Sequence, residues 1–413
     1  MRSKKPWVLV VSHFIPEEGV NGAFVYTWRM MQFLRRRYRV VLFMPRGQAV
    51  GLGPCCYDAR CCGDGVELFQ SLYWRVRACW QVFCDFFLRV YIRLRFGQSL
   101  GAFAANPLVM PMSQKAIVKL DAVLFRYRPV AVIANYAHAA VPALLIAQRH
   151  CRALTLINSI DCQSARMAHI KKTDHVPVVE VSRVQEKEIL DRADVLIAIQ
   201  KKEQRLFVSM LPQKEVIIAP CPFDVVPCSE ANTSPGWVLM VGGTAQHNQD
   251  GLAHFMMHIW PVVRERRPDA ELHVCGNICA SASTWNGIAP GVVLHGYCAE
   301  TTPYYAKASV VINPCIYGSG LKIKNIEAMA HGKCLLTTPV GVQGLEPYVG
   351  EALLLAETAD FAQTLIDLLS NQAFRERIGH AAQECVAEYF SEEACFAPLL
   401  ACIGRHVINK GFR

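Results

Sequence analysis

The stretch YGSGLKIKNIEAMAHG, residues 317–332, sets a glycine-rich loop before a run with helical spacing, and it carries Lys322, Lys324, Glu327 and His331. A helix N-terminus bears partial positive charge from its unpaired N–H groups and favours acidic side chains. Lys322 and Lys324 have the opposite sign. They make sense if an anion sits at that end and uses the backbone N–H groups and the ammonium groups together. Gly318 and Gly320 would let the backbone approach such an anion closely. Ile323, Ile326, Met329 and Ala330 fall on the face a helix would bury, while Lys324, Glu327 and His331 share another face. The plainer account is one Lys324–Glu327 ion pair worth about 0.3 kcal/mol. That account leaves Lys322 and the glycine loop unexplained.

The elements that must carry this loop recur along the chain. Continuous apolar runs stand at residues 7–12, 39–45, 129–135, 153–159, 194–200 and 215–221, and again at 237–243, 270–276, 291–296, 309–314, 333–339 and 351–357. Such runs fit strands covered on both faces of a parallel sheet. Helical patterns alternate with them, which implies an α/β fold with two doubly wound parallel sheets. CPFDVVPCSEANTSPG, residues 221–236, has three prolines and a polar turn cluster, so it reads as a linker. The expectation is two Rossmann-like domains, residues 1–225 and 226–388, with ligand bound beyond the carboxyl ends of the strands and across the cleft between them.

Composition narrows the function. The 413 residues are 52% hydrophobic, enough for two cores, and the net charge of +9 suits an anionic ligand or an anionic membrane surface. No basic stretch has the spacing of a nucleic-acid reader, so no nucleic acid is expected as a partner. The 18 cysteines do not read as a secreted framework, because the start has only a short apolar run and no small-residue cleavage site. A cytoplasmic location follows as the expectation. Cys55, Cys56, Cys61 and Cys62 are adjacent pairs rather than the spaced pairs structural zinc takes, so no metal site is expected. Residues 74–97 combine helical apolar spacing with Arg75, Arg77, Arg89, Arg93 and Arg95. That charge excludes a spanning helix and leaves two readings, an amphipathic helix packed on its own domain and a helix lying peripherally on the inner face of a membrane.

The segments around residues 193–207, 241–276, 292–314 and 309–345 occur in one order, and together they resemble the family 4 (group 1) glycosyltransferases of the GT-B fold. The resemblance covers most of the second half and, more loosely, the whole chain. It implies a retaining, metal-independent, hexosyltransferase-type enzyme with no cofactor beyond a nucleotide-sugar co-substrate. It implies a glycan or lipid-linked acceptor and a role in cell-envelope or exopolysaccharide biosynthesis. By matching position, Glu327 would accept the ribose hydroxyls. Gly318, Ser319, Gly320 and Leu321 would lie under the diphosphate and donor sugar. Gly242, Gly243 and Thr244 would form the phosphate-side loop, and His295, Gly296 and Tyr297 would hold the base through backbone groups. Gly19 and Gly22 match the glycine loop of the first domain, which would approach the donor phosphates and the acceptor, with Gly22 binding the donor. Residues 389–413 match a terminal helix that crosses back to it.

Two departures from the family pattern stand out. Ser319 occupies a position where many members carry glutamate, and the loop GGTAQHNQDG lacks the usual Arg and Lys pair. Lys322 and Lys324 are candidates to supply the missing charge, and Lys322 to stabilise the leaving diphosphate. His138 and Asp161 follow strands of the first half and are candidates to orient an acceptor hydroxyl, or simply structural hydrogen-bonders. The competing readings are a degenerate nucleotide-sugar-binding protein without turnover, and an epimerase or phosphorylase on the same architecture. A dehydrogenase is excluded by the lack of G-x-G-x-x-G after the first strand.

Overall fold

The computed structural model describes residues 5–14, 16, 22–44, 66–68, 114–137, 143–144, 146–148, 152–170, 181–227, 233–282 and 289–409. His138, Gly19, the cysteines at 55–62 and the stretch 74–97 lie outside them. The chain divides into two compact units, one of Met1–Met167, Val176–Ala219 and Phe396–Arg413, the other of Ala168–His175 and Pro220–Cys395.

Among the described residues the first unit has seven parallel strands: β1 (Trp7–Val11), β2 (Arg39–Phe43), β3 (Val66–Leu68), β4 (Ala131–Asn135), β5 (Leu154–Asn158), β6 (Val195–Ala198) and β7 (Glu215–Ile218). Their order is β3-β2-β1-β4-β5-β6-β7. Every residue of β4 and β5 is buried, as unbroken apolar sequence requires of central strands covered on both faces. The helices are α1 (Gly22–Arg35), α2 (Gln114–Tyr127), α3 (Gln163–Ile170), α4 (Arg183–Leu190) and α5 (Lys201–Met210). Leu120, Val123 and Leu124 of α2 join Val11, Val132 and Ile157 in one core. A capping box starts α4, where Ser182 Oγ accepts from Gln185 N and Gln185 Oε1 accepts from Ser182 N.

Among the described residues the second unit has six parallel strands: β8 (Trp237–Val241), β9 (Glu271–Cys275), β10 (Val292–Gly296), β11 (Val310–Asn313), β12 (Leu335–Thr337) and β13 (Leu354–Leu355). The order β10-β9-β8-β11-β12-β13 repeats the pattern of the first sheet. Helix α6 (Gln246–His254) continues through a π turn at Phe255–Ile259 into α7 (Trp260–Arg266). The wider turn has a cause in the sequence: Pro261 has no N–H and its ring would strike a carbonyl of an unbroken α-helix. Then come α8 (Ile278–Ala282), α9 (Thr302–Lys307), α10 (Ile323–Ala330), α11 (Phe361–Ser370), α12 (Gln372–Tyr389) and α13 (Glu392–Asn409). Phe255, Trp260 and Phe361 anchor this core, the Phe255 ring lying 6.0 Å from that of Trp260 and 5.9 Å from that of Phe361. The end of α10 is closed by Gly332 at a φ of 64°, where Gly332 N donates to Met329 O and Lys333 N to Ala328 O.

The expected linker belongs to the second unit, because its backbone is bonded there. Phe223 N donates to Phe390 O and Val226 N to Ala330 O. Helix α13 starts in the second unit and ends in the first. Within the first unit Phe396 packs on Tyr26 and Phe33, Arg405 pairs with Glu215, and His406 bonds Arg152 O at 2.7 Å. No helix among the described residues is long and apolar enough to cross a membrane.

Candidate functional site

In each sheet the first and fourth strands are neighbours, so the chain leaves them in opposite directions and a crevice opens at their carboxyl ends. In the second unit those strands are β8 and β11. Their exit loops carry Gly242, Gly243 and Thr244 on one side and Gly318 to Lys322 on the other. Three contacts fasten the two sides together. A Cβ on Gly251 would lie 2.7 Å from Pro314 O, so a glycine there lets α6 lie directly on the exit of β11. Tyr317 Oη donates to Asp250 Oδ2 at 2.6 Å. Asn248 takes Lys324 Nζ on its Oδ1 at 2.8 Å and donates its Nδ2 to Gly243 O at 3.3 Å. Asn248 and Gly251 escape a reading of the sequence, since their partners are remote in the chain.

Lys322 is the residue just before α10 rather than within its first turn, and it is buried. Its ammonium donates to Ser319 O at 2.8 Å and Gly320 O at 2.9 Å, so it holds the glycine loop in shape. Lys324 is partly exposed and bonded to a neutral amide, which leaves its charge uncompensated by that partner. Burial, with Lys322 nearby adding to it, lowers its pKa to about 8.

Glu327 stands one turn further on, with Oε1 accepting from Thr301 Oγ1 at 2.8 Å. Tyr305, fully buried beside it, stacks on His331 with centroids 4.4 Å apart and planes 12° from parallel. Burial, and then the Glu327 charge, push the Tyr305 hydroxyl well above its ordinary pKa. Thus the start of α9 holds the carboxylate of α10 in place, which spacing within 317–332 does not reveal.

The loops of β8, β9 and β10 meet at Gly276. Its N donates to Gly296 O at 2.7 Å, and a Cβ there would lie 2.3 Å from Gly242 O. Its φ of 102° suits glycine. The imidazole of His295 is bonded to that of His273 at 2.9 Å, so its side chain is committed inward. Burial first, and then His295, lower His273 to about 4. Tyr297 is exposed, and the main chain of His295, Gly296 and Tyr297 forms the rim. Among the described residues no three His, Cys, Asp or Glu side chains gather as a metal site would need.

The structure therefore brings together Gly242, Gly243, Thr244, Gly318, Ser319, Gly320, Leu321, Lys322 and Lys324, with Glu327 following on α10 and His295, Gly296 and Tyr297 joined through Gly276. Gly22 and Asp161 stand in the first unit. Gly22 opens α1. Asp161 lies just past β5, mostly buried, with Arg166 Nη1 3.7 Å from Oδ2. Neutral polar groups stand near it among the described residues. Asn158 donates to Asn135 at 2.7 Å, and Asn135 to Thr27 at 2.6 Å. Tyr136 and Ile160, at the ends of β4 and β5, hold φ of 67° and 58°, strained for side chains of their size. His13, past β1, carries no motif that would mark it in the sequence; burial lowers it to about 4, so it stays neutral.

Residues 235–371 match the family model described as Glycosyl transferases group 1. The second unit is a group 1 glycosyltransferase domain. Over the whole chain, the fold is that of GT-B enzymes. A sucrose-phosphate synthase from Thermosynechococcus elongatus superposes with a TM-score of 0.71, covering 98% of this chain and 100% of that one at 17% identity. HepE of Anabaena, solved with UDP and glucose, superposes with a TM-score of 0.66, covering 97% and 100% at 15% identity. An "Uncharacterized 44.6 kDa protein in cps region" of Klebsiella pneumoniae is 25% identical over 199 residues, 46% of this chain. The match spans about half of that relative's length, 50%.

Proposed function

We propose that this group 1 glycosyltransferase moves a hexose from a nucleotide-sugar donor to a glycan or lipid-linked acceptor with retained anomeric configuration and without a metal. The observation that carries the reading is the switch-point crevice of the second unit, where a glycine loop, the start of α10, Lys324 and Glu327 gather anion and ribose chemistry in one place. The donor diphosphate lies against Gly242–Thr244 and Gly318–Leu321. Lys322 shapes the second loop, and Lys324 supplies charge as the leaving diphosphate develops its own. The bond from the anomeric carbon to the diphosphate oxygen breaks, the bond to the acceptor oxygen forms, and the acceptor proton passes to a donor phosphate oxygen. Glu327 accepts the ribose hydroxyls.

The first unit offers the acceptor side. Its described Asn, Thr and aromatic groups, with Asp161 and Gly22, suit hydroxyl-rich sugars. The relative from a cps region, and the UDP and glucose bound by HepE, favour polysaccharide building from a UDP-sugar. The arginine-rich, aromatic stretch 74–97 would bring the chain to an anionic membrane surface that carries lipid-linked acceptors.

Thermal stabilisation by UDP, GDP, ADP and CDP tests the reading, with wild type and Glu327→Ala side by side and no metal added. A shift with one nucleotide that weakens in the variant is expected. No shift with any of them would sink the donor assignment. The serine at 319 favours one second reading, a protein that binds the nucleotide-sugar without turnover. Slow release of free sugar from the tightest-binding donor separates the two, since a degenerate protein gives none.

A further inference from the structure

We infer that Thr301 is the positioning residue of the ribose subsite: its hydroxyl sets the Glu327 carboxylate and thereby the discrimination between ribose and 2′-deoxyribose. The inference rests on the proposed ribose role of Glu327 and adds to it a residue on a different segment of the chain.

Thr301 immediately precedes α9, and its carbonyl accepts from Tyr304 N at 3.0 Å and Tyr305 N at 3.1 Å. A threonine before a helix normally turns its oxygen onto an N–H of the first turn, and losing that bond costs stability. Here the side chain makes no such bond. It donates instead to Glu327 Oε1 at 2.8 Å, 26 positions away. The local task is forgone for a long-range one.

The consequence for Glu327 is geometric. A carboxylate at the edge of a helix has a soft terminal torsion, and a bond at one oxygen narrows the range it samples. A bond from an uncharged hydroxyl fixes one oxygen without neutralising the charge. An ionised carboxylate accepts at about four lone-pair sites, and Thr301 takes one of them. The helix that Thr301 opens is itself held, because Tyr305 in its middle is buried and stacked on His331 at the end of α10. Thr301 and Glu327 therefore keep their mutual placement as one block.

The test reads sugar preference, which a general loss of stability would not move. Dissociation constants are measured by calorimetry for UDP and 2′-deoxy-UDP, with GDP, ADP and CDP and their deoxy forms run alongside, and the tightest pair is carried forward. Wild type should prefer the ribonucleotide by about tenfold, the loss expected for one charge-assisted hydrogen bond. Glu327→Ala should bring the preference to about one. Thr301→Ala should cut it to about threefold, and Thr301→Ser should restore it. If Glu327→Ala collapses the preference while Thr301→Ala keeps it, the inference is overturned and the ribose reading stands. If Glu327→Ala keeps it, or no nucleotide binds, the ribose reading itself is wrong and Thr301 goes with it.

Discussion

The two sheets share one strand order, and yet their carboxyl edges are chemically unlike. At the first edge stand Ser12, His13, Asn135, Asn158 and Ser159, all buried, with the two asparagines bonded to each other and His13 held neutral. At the second stand glycines and lysines, with Lys324 held half-buried against its preference. Topology decides where a crevice opens, and side chains decide what it takes. Among the described residues, the first edge presents buried neutral polar groups and the second presents glycines and lysines. Matched substitutions at the two edges are therefore the direct way to break or sharpen the comparison.

The largest effect is expected at Gly276. An alanine there meets Gly242 O at 2.3 Å from Cβ and takes a left-handed φ. The cost is about 2–4 kcal/mol from strain and overpacking. Denaturant unfolding followed by Trp237 fluorescence should show the second unit weakened, with the first unit's transition unmoved. A variant as stable as wild type would mean that the β8 and β9 loops are not pressed together. Next comes Glu327→Ala, which should weaken the binding of the best nucleoside diphosphate by about 10–100-fold. Asp161→Ala, its counterpart across the comparison, should leave that affinity within about twofold, because it belongs to the other edge. Equal losses from both would erase the distinction between the edges. Asn135→Ala follows, stripping a partner from Asn158 and from Thr27 in the buried ladder. It should cost about 1–2 kcal/mol of first-unit stability with nucleotide affinity unchanged.

Much of the fold is legible in the sequence, for a physical reason. Strands such as β4 and β5 are buried on both faces, so their sequences are unbroken apolar runs that no exposed helix shows. β3 has three residues, too few to display any period, and no apolar run marks it. The site is legible only where its residues are close in the chain. Lys322, Lys324 and Glu327 lie within one turn and a half, and the sign of the lysines stands out against the helix dipole. Asn248 is 76 positions from Lys324 and Thr301 is 26 from Glu327, so nothing local marks either. Lys322 shows the same limit. Its type and place suggest a phosphate ligand, while its ammonium is occupied with the carbonyls of its own loop.

The smallest effect is the most diagnostic of charge, and it concerns pH. Lys324 titrates at about 8 in the folded protein, below the 10.5 of an ordinary lysine. A lowered folded pKa means that the unfolded chain binds the extra proton between those values. Folding stability from this group therefore rises as pH climbs from about 8 to 10.5. Nucleotide affinity should move the other way, because the diphosphate needs the ammonium form. With one required proton, affinity falls by about tenfold by roughly pH 9, up to the limit set by the raised pKa in the complex. His13, His273 and His331 are each near 4 and add no slope in this range. Cys162, Cys334 and Cys385, each pushed by burial from 9.0 to about 12, act the other way on folding, so the affinity profile and not total stability reads Lys324. Calorimetry between about pH 7 and 9.5 should show falling affinity with proton uptake on binding, and Lys324→Arg should flatten the slope, since a guanidinium stays charged throughout. A flat profile in wild type would place Lys324 away from the phosphates and return the anion to backbone groups alone.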